Sequence, residues 1–135
     1  MTMLTFFVDG QPQGKGRPRV TRYGTYTPKS TKAYEKHIQE TYKELADWTF
    51  FEGPVEVRLE CTYRIPKSWS KKKQQAALNG ETLPTVKPDL DNIAKAICDA
   101  LNGYCWADDN QVVSLTASKH YGPNPGVMVH VIGDR

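Results

Sequence analysis

Apolar and polar positions alternate most strictly between 55 and 65, where Val55, Val57, Leu59, Cys61, Tyr63 and Ile65 are separated by Glu56, Arg58, Glu60, Thr62 and Arg64. A period of two held that long is the mark of a strand with one face buried and the other wet. A shorter apolar run, 4–8, ends at the turn pair Asp9 and Gly10 and predicts a first strand. Between 31 and 48 the period changes. Tyr34, Ile38, Tyr42, Leu45 and Trp48 recur three and four residues apart, which lines one face of a helix, with Ser30 or Thr31 as the expected N-cap. Ser70 precedes a short helix stopped by Gly80, and Leu90, Ile93, Ala94, Ile97 and Leu101 share the face of a longer one stopped by Asn102 and Gly103. The last third predicts two strands, 111–121 and 127–132, joined by the turn GPNPG and expected to pair with each other as an antiparallel hairpin.

This order of elements lacks the regular alternation of a doubly wound sheet. The expected fold is α+β, a mixed β-sheet with a C-terminal antiparallel hairpin and helices packed on it. At 135 residues the chain has the size of one domain, 1–135. Only 10–30, rich in glycine, proline and basic residues, shows no period and reads as a long, partly extended loop.

Composition adds exclusions. No apolar run approaches the roughly 18 residues of a membrane span, and the first residues lack the pattern of a secretory signal, so a cytoplasmic protein without a membrane partner is expected. The three cysteines, Cys61, Cys98 and Cys105, form no C-x-x-C pair and are expected as reduced, buried thiols. A net charge of +3 says little about partners, but its distribution says more. Lys15, Arg17, Arg19, Arg22, Lys29, Lys32 and Lys36 are opposed in their segment by Glu35 alone, and Lys71, Lys72 and Lys73 stand together further on.

The densest chemical signal lies between Lys87 and Val113. Asp89 and Asp91 fall at a helix start, where side chains two apart can converge, and Asp108 and Asp109 follow the helix stop. A helix folded back on the next strand would bring one of the later pair beside the first two. Three carboxylates from two elements would suit Mg²⁺, which takes oxygen ligands and keeps several waters. Capping, the helix dipole and an ordinary turn account for the same aspartates without any metal. Lys95, one turn beyond Asp91, either faces a phosphate or forms an ion pair with Asp99.

DLDN at Asp89 to Asn92, Lys95, the Asp99 to Leu101 stretch, Trp106, Asp108, Asp109 and Gln111 to Val113 together resemble the RusA-like Holliday junction resolvases of phages and prophages. A GxPxxKxRPR motif, met by Gly10, Pro12, Lys15, Arg17, Pro18 and Arg19, is similar to the phage-type branch, as are Tyr26, Thr27 and Pro28 after it. The resemblance spans nearly the whole chain. It implies a homodimeric, Mg²⁺-dependent endonuclease that nicks opposed strands of a four-way DNA junction. Asp89, Asp91 and Asp109 would be its catalytic, metal-binding carboxylates and Lys95 an essential basic residue. Members often carry a basic residue immediately before the first aspartate; here Pro88 stands there, with Lys87 behind it.

Phosphate contacts are expected from Lys15, Arg17, Arg19, Arg22, Lys71, Lys72, Lys73 and Lys87. A homodimer interface would come from the aromatic face of the 31–48 helix or from the edge of the C-terminal hairpin. Two other classes compete: a flap- or fork-specific nuclease of the same fold, and a non-catalytic branched-DNA-binding protein. Against the second, aspartates beside DNA repel phosphate unless a cation intervenes.

Overall fold

A computed structural model describes residues 1–16, 19–26 and 28–135, for residues 19, 21 and 26 the backbone alone. Its elements are β1 (Thr2–Asp9), β2 (Arg19–Thr21), β3 (Gly24–Tyr26), α1 (Lys29–Lys43), β4 (Val55–Arg64), α2 (Lys71–Leu78), α3 (Leu90–Leu101), a 3-10 turn (Asp109–Gln111), β5 (Val112–Gly122) and β6 (Gly126–Gly133). The fold is α+β. Its main sheet is mixed, with strand order β1-β6-β4-β5; β4 and β5 run parallel and the other two pairings are antiparallel.

That order corrects the expected C-terminal hairpin: β5 and β6 follow one another across GPNPG but do not pair, because β4 lies between them. The cause is in the apolar content. Val127, Val129 and Val131 of β6 and Val55, Val57, Leu59, Cys61 and Tyr63 of β4 are all buried, whereas residues 113–116 of β5 are exposed. Strands that bury a whole face gain most from neighbours on both sides, and β5, which leaves residues 113–116 exposed, takes the edge. Crossing one strand spans about two inter-strand spacings, near 10 Å, which the four steps from Gly122 to Gly126 reach when extended.

The helices cover one face of the sheet. Tyr34, Ile38 and Tyr42 of α1, and Ile93, Ala96, Ile97 and Leu101 of α3, join the buried sheet positions and Trp106 in one cluster. Burying each large aliphatic side chain is worth about 1.5–3 kcal/mol, enough to dock both helices despite their modest length.

α1 begins and ends earlier than its apolar spacing predicts. Its N-cap is Pro28, with no side-chain capping bond, and neither Ser30 nor Thr31 caps it. The Thr31 hydroxyl is buried and accepts the N–H of Gly16 instead. Past Lys43 the chain tightens into i to i−3 bonds, Leu45 N–H to Tyr42 O and Trp48 N–H to Leu45 O, which mimic helical spacing without continuing the helix. The Tyr42 hydroxyl donates to the Thr49 carbonyl and Phe51 N–H to Cys105 O, so the segment turns back to bury Phe51, and Trp48 stays 48% exposed. The 10–30 stretch, expected as loop, contains the small β2–β3 hairpin. All three cysteines are free, Cys61 and Cys105 buried and Cys98 partly so. Among the described residues no helix is long and apolar enough to cross a membrane.

Candidate active site

Asp89 is the N-cap of α3, yet its side chain makes no capping hydrogen bond; only its backbone carbonyl serves the helix, accepting from Ile93 N–H. Capping therefore does not account for this carboxylate. Asp91 lies in the first turn, and Lys95 and Asp99 succeed it at four-residue steps along one stripe of the helix.

The 3-10 turn before β5 separates the roles of the neighbouring aspartates. Asp108 is its cap: the Asp108 carboxylate accepts from Asn110 N–H at 2.9 Å, while Gln111 Oε1 accepts from Asp108 N–H at 3.1 Å and from Ala107 N–H at 2.9 Å. Gln111 Nε2 in turn donates to the carbonyls of Phe51 and Gly53, at 2.9 and 3.0 Å, tying the turn to the start of β4. Asp109 is oriented from beneath by the fully buried Trp106, whose indole Nε1–H donates to Asp109 Oδ1 at 2.9 Å. A hydrogen bond to a charged acceptor is worth about 1.5–3 kcal/mol, so the carboxylate is held in one orientation. Trp106 was legible as a motif position but not as this support, which depends on the fold of the turn.

α3 and the β5 approach then enclose a hollow of about 290 Å³ lined by Asp91, Ala94, Lys95, Cys98, Asp99, Asp109, Val112 and Leu115. Asp89 opens instead on the adjoining hollow, of about 390 Å³, with Gly14, Lys87, Pro88 and Asn92. The structure thus joins Asp91, Asp109 and Lys95 in one recess and sets Asp89 and Lys87 on its neighbour. Among the described residues no three His, Cys, Asp or Glu side chains form a ready metal cage. Burial first, and then the charges of Asp109 and Asp99, push the Cys98 thiol up to about 12, so it stays protonated and the recess presents oxygen donors. With Asp99 taken up by lysines, Asp91 and Asp109 with open space beside them fit a hard cation that retains water and takes few protein ligands, and do not fit a closed structural site.

Behind this recess stands a chain of charges. Lys15 Nζ donates to Glu35 Oε1 of α1 and lies 3.3 Å from Asp99 Oδ2; Lys95 Nζ lies 3.4 Å from the same oxygen. Burial works against the Lys15 charge, but the hydrogen bonds to Glu35 and Asp99 outweigh it and hold its pKa above the ordinary lysine value. Lys15 N–H also donates to Asn92 O at 3.2 Å, and Gly14 packs so tightly on α3 that an added Cβ would meet Asn92 Nδ2 at 2.3 Å.

The other expected phosphate contacts are dispersed. Arg22, Lys71, Lys72, Lys73 and Lys87 are exposed. Lys73 Nζ sits 4.0 Å over the Trp69 ring, and Arg22 lies 5.1 Å from the Tyr23 ring. Arg17 and the side chain of Arg19 fall outside the described residues. The histidines take no part in the recess: His37 bonds the Asp9 carbonyl, His120 faces Thr62, and His130 lies between Thr5 and Glu60 on the uncovered face of the sheet.

The profile of the family described as endodeoxyribonuclease RusA matches residues 9–132, from the end of β1 to the end of β6. The chain belongs to the RusA endodeoxyribonuclease family. It is also 36% identical to the uncharacterized protein YqaN of Bacillus subtilis strain 168, over 97% of this chain and 96% of that one. RusA membership makes this a nuclease of the Holliday junction resolvase type.

Proposed function

We propose that the protein is a Mg²⁺-dependent, structure-specific endodeoxyribonuclease that resolves four-way DNA junctions by paired nicking as a homodimer, in recombination and repair. The observation that carries this reading is the meeting of Asp91 and Asp109, from two separate elements, in one recess with Lys95 in a chain of the RusA family.

In this reading Asp91 and Asp109 hold the cation and Asp89 joins them from the adjoining hollow. Mg²⁺, when bound, supplies an oriented water and neutralises charge on the scissile phosphate. The chain's own groups do the rest. Trp106 keeps Asp109 from turning away, and Lys95, 63% exposed at the rim, offers positive charge to a non-bridging phosphate oxygen. Val112 and Leu115 line the β5 side of the recess. Arg17, Arg19, Arg22, Lys71, Lys72, Lys73 and Lys87 supply phosphate contacts along the arms of the junction.

A screen of labelled four-way, flap, Y-shaped and linear DNA, with and without Mg²⁺, tests this reading. Symmetrically paired nicks on the four-way substrate, dependent on Mg²⁺, are the expected result. Preferential cutting of flaps or forks would move the substrate assignment, and tight binding without any cutting would make the protein a branched-DNA binder.

A further inference from the structure

We propose that Lys15 is a positioning residue of the cutting centre and not one of its DNA contacts: wedged between Glu35 and Asp99, it holds the carboxylate that places the Lys95 ammonium at the rim of the Asp91–Asp109 recess. This inference rests on the nuclease reading above for its catalytic consequence, but its structural content stands apart from it.

An isolated Lys95–Asp99 pair, one helical turn apart on α3, would be weak and would leave both side chains to sample several rotamers. The third member changes that. The side chains of Lys15, Glu35 and Asp99 are only 19%, 21% and 25% exposed, and they come from three separate segments: the loop after β1, α1 and α3. Solvent competes weakly for such charges, and a carboxylate caught by a cation that is itself fixed has little freedom left.

The Lys15 main chain is fixed as well. Its N–H donates to Asn92 O, the next residue's N–H donates to the buried Thr31 hydroxyl, and the preceding glycine lies flat against Asn92. A side chain anchored at both ends and matched to two carboxylates would have to leave both to reach a phosphate, which exposes two half-buried negative charges to each other. Lys95 faces the opposite choice. It shares Asp99 Oδ2 with Lys15, so the carboxylate steadies its ammonium without absorbing its whole charge, and its 63% exposed side chain stays available to an incoming anion. The recess holds the carboxylates of Asp91, Asp99 and Asp109 against the single ammonium of Lys95. Lys15 offsets the one of the three that needs no cation for chemistry.

Lys15→Met, Lys15→Arg, Glu35→Gln and Lys95→Met, alone and in the pair Lys15→Met with Lys95→Met, provide the test. In single-turnover cleavage of a four-way junction at saturating protein, Lys15→Met should slow nicking about tenfold or more, since small misplacement of a catalytic group costs up to about a hundredfold. The salt dependence of junction binding should stay as in the unaltered protein, and the double variant should be no slower than Lys95→Met. Lys15→Arg should recover part of the rate, and Glu35→Gln should lose part of it. A salt slope lower by about one with an unchanged saturated rate would make Lys15 a phosphate contact and overturn the proposal. An equal further loss in the Lys95→Met background would also overturn it, because Lys15 would then act by another route.

A readout independent of cleavage is the NMR signal of the Lys95 ε-methylene. Lys15→Met, or Glu35→Gln should the first variant not fold, should shift that signal while leaving Lys36, which pairs with Glu40 on α1, in place. An unmoved Lys95 signal sinks the positioning role. A shifted signal in a protein that cuts no junction sinks the nuclease reading and leaves the positioning role standing.

Discussion

At the residue scale the adjacent aspartates 108 and 109 provide the sharpest contrast, since one sequence pattern supplies two side chains with different surroundings. Asp108 closes a capping box, and Asp109 takes the Trp106 indole bond and faces the recess. Asp91→Asn and Asp109→Asn should each reduce Mg²⁺-dependent nicking by at least a hundredfold while leaving the circular dichroism spectrum and junction affinity near those of the unaltered protein. Asp108→Asn, which retains a capping oxygen, should keep activity within a few-fold; a null Asp108→Asn beside an active Asp109→Asn would exchange their roles. Trp106→Phe keeps the ring in the core but removes the donor to Asp109. It should lower stability by about 1–3 kcal/mol in urea titration and slow nicking more than it weakens junction binding. Equal losses in rate and affinity would mean that the indole supports the fold generally and not Asp109. The aspartate types and their spacing were legible in the sequence; spacing alone did not say which of the later pair faces the recess, because capping and the Trp106 bond depend on how the turn folds, and the choice of Asp109 came from the family resemblance. The Lys15 assignment was illegible for a stronger reason, since its partners Glu35 and Asp99 lie on two helices that meet it only in three dimensions.

At the scale of elements, local periodicity carried β1, β4, α2 and α3 to within a residue or two of their ends, and it failed where long-range pairing decided. GPNPG is a good turn, and two β-prone runs beside it read as a hairpin, but turn chemistry cannot say which strand lies next to which. The strands differ in burial: Ser114, Thr116 and Ser118 of β5 lie exposed, whereas β6 alternates Val127, Val129 and Val131 with residues that are also half-buried. Gly126 opens β6 for a related reason. A Cβ built there would stand 2.1 Å from Phe7 Cζ and 2.7 Å from both Cε atoms, so the ring of the neighbouring strand lies directly over the glycine. Gly126→Ala should therefore cost about 1–3 kcal/mol, read as a lower urea midpoint, through displacement of Phe7. Phe7→Leu in the same background should recover part of that loss, and an unchanged midpoint in Gly126→Ala would show that the ring moves aside freely.

At the scale of the whole molecule, the proposed homodimer has to find its interface on surface that the monomer leaves uncovered. Of the two regions expected from sequence, the aromatic face of α1 is already used: Tyr34, Ile38 and Tyr42 are buried inside the monomer. The edge of β5 remains. Val113 and Leu115 are 70% and 47% exposed, and the run from Val112 to Ser118 contains no charge and no proline, the usual means by which an edge strand is kept from pairing. Being uncharged, two copies of this run can meet antiparallel about a two-fold axis without opposing like charges, as an isologous interface requires. Val112 and Leu115 also wall the carboxylate recess, so pairing here would bring two recesses toward one axis, as paired nicking of a two-fold junction demands. Thr116→Lys and Thr116→Glu, each placing like charges beside the axis, should sediment as monomers at micromolar concentration. Mixed in equal amounts, the two variants should recover the dimer, because the charges then attract. The separate variants should still nick single strands but lose the coordinated second cut, and dimers persisting in both would place the interface on another surface, with the uncovered sheet face around His130 next to be mutated.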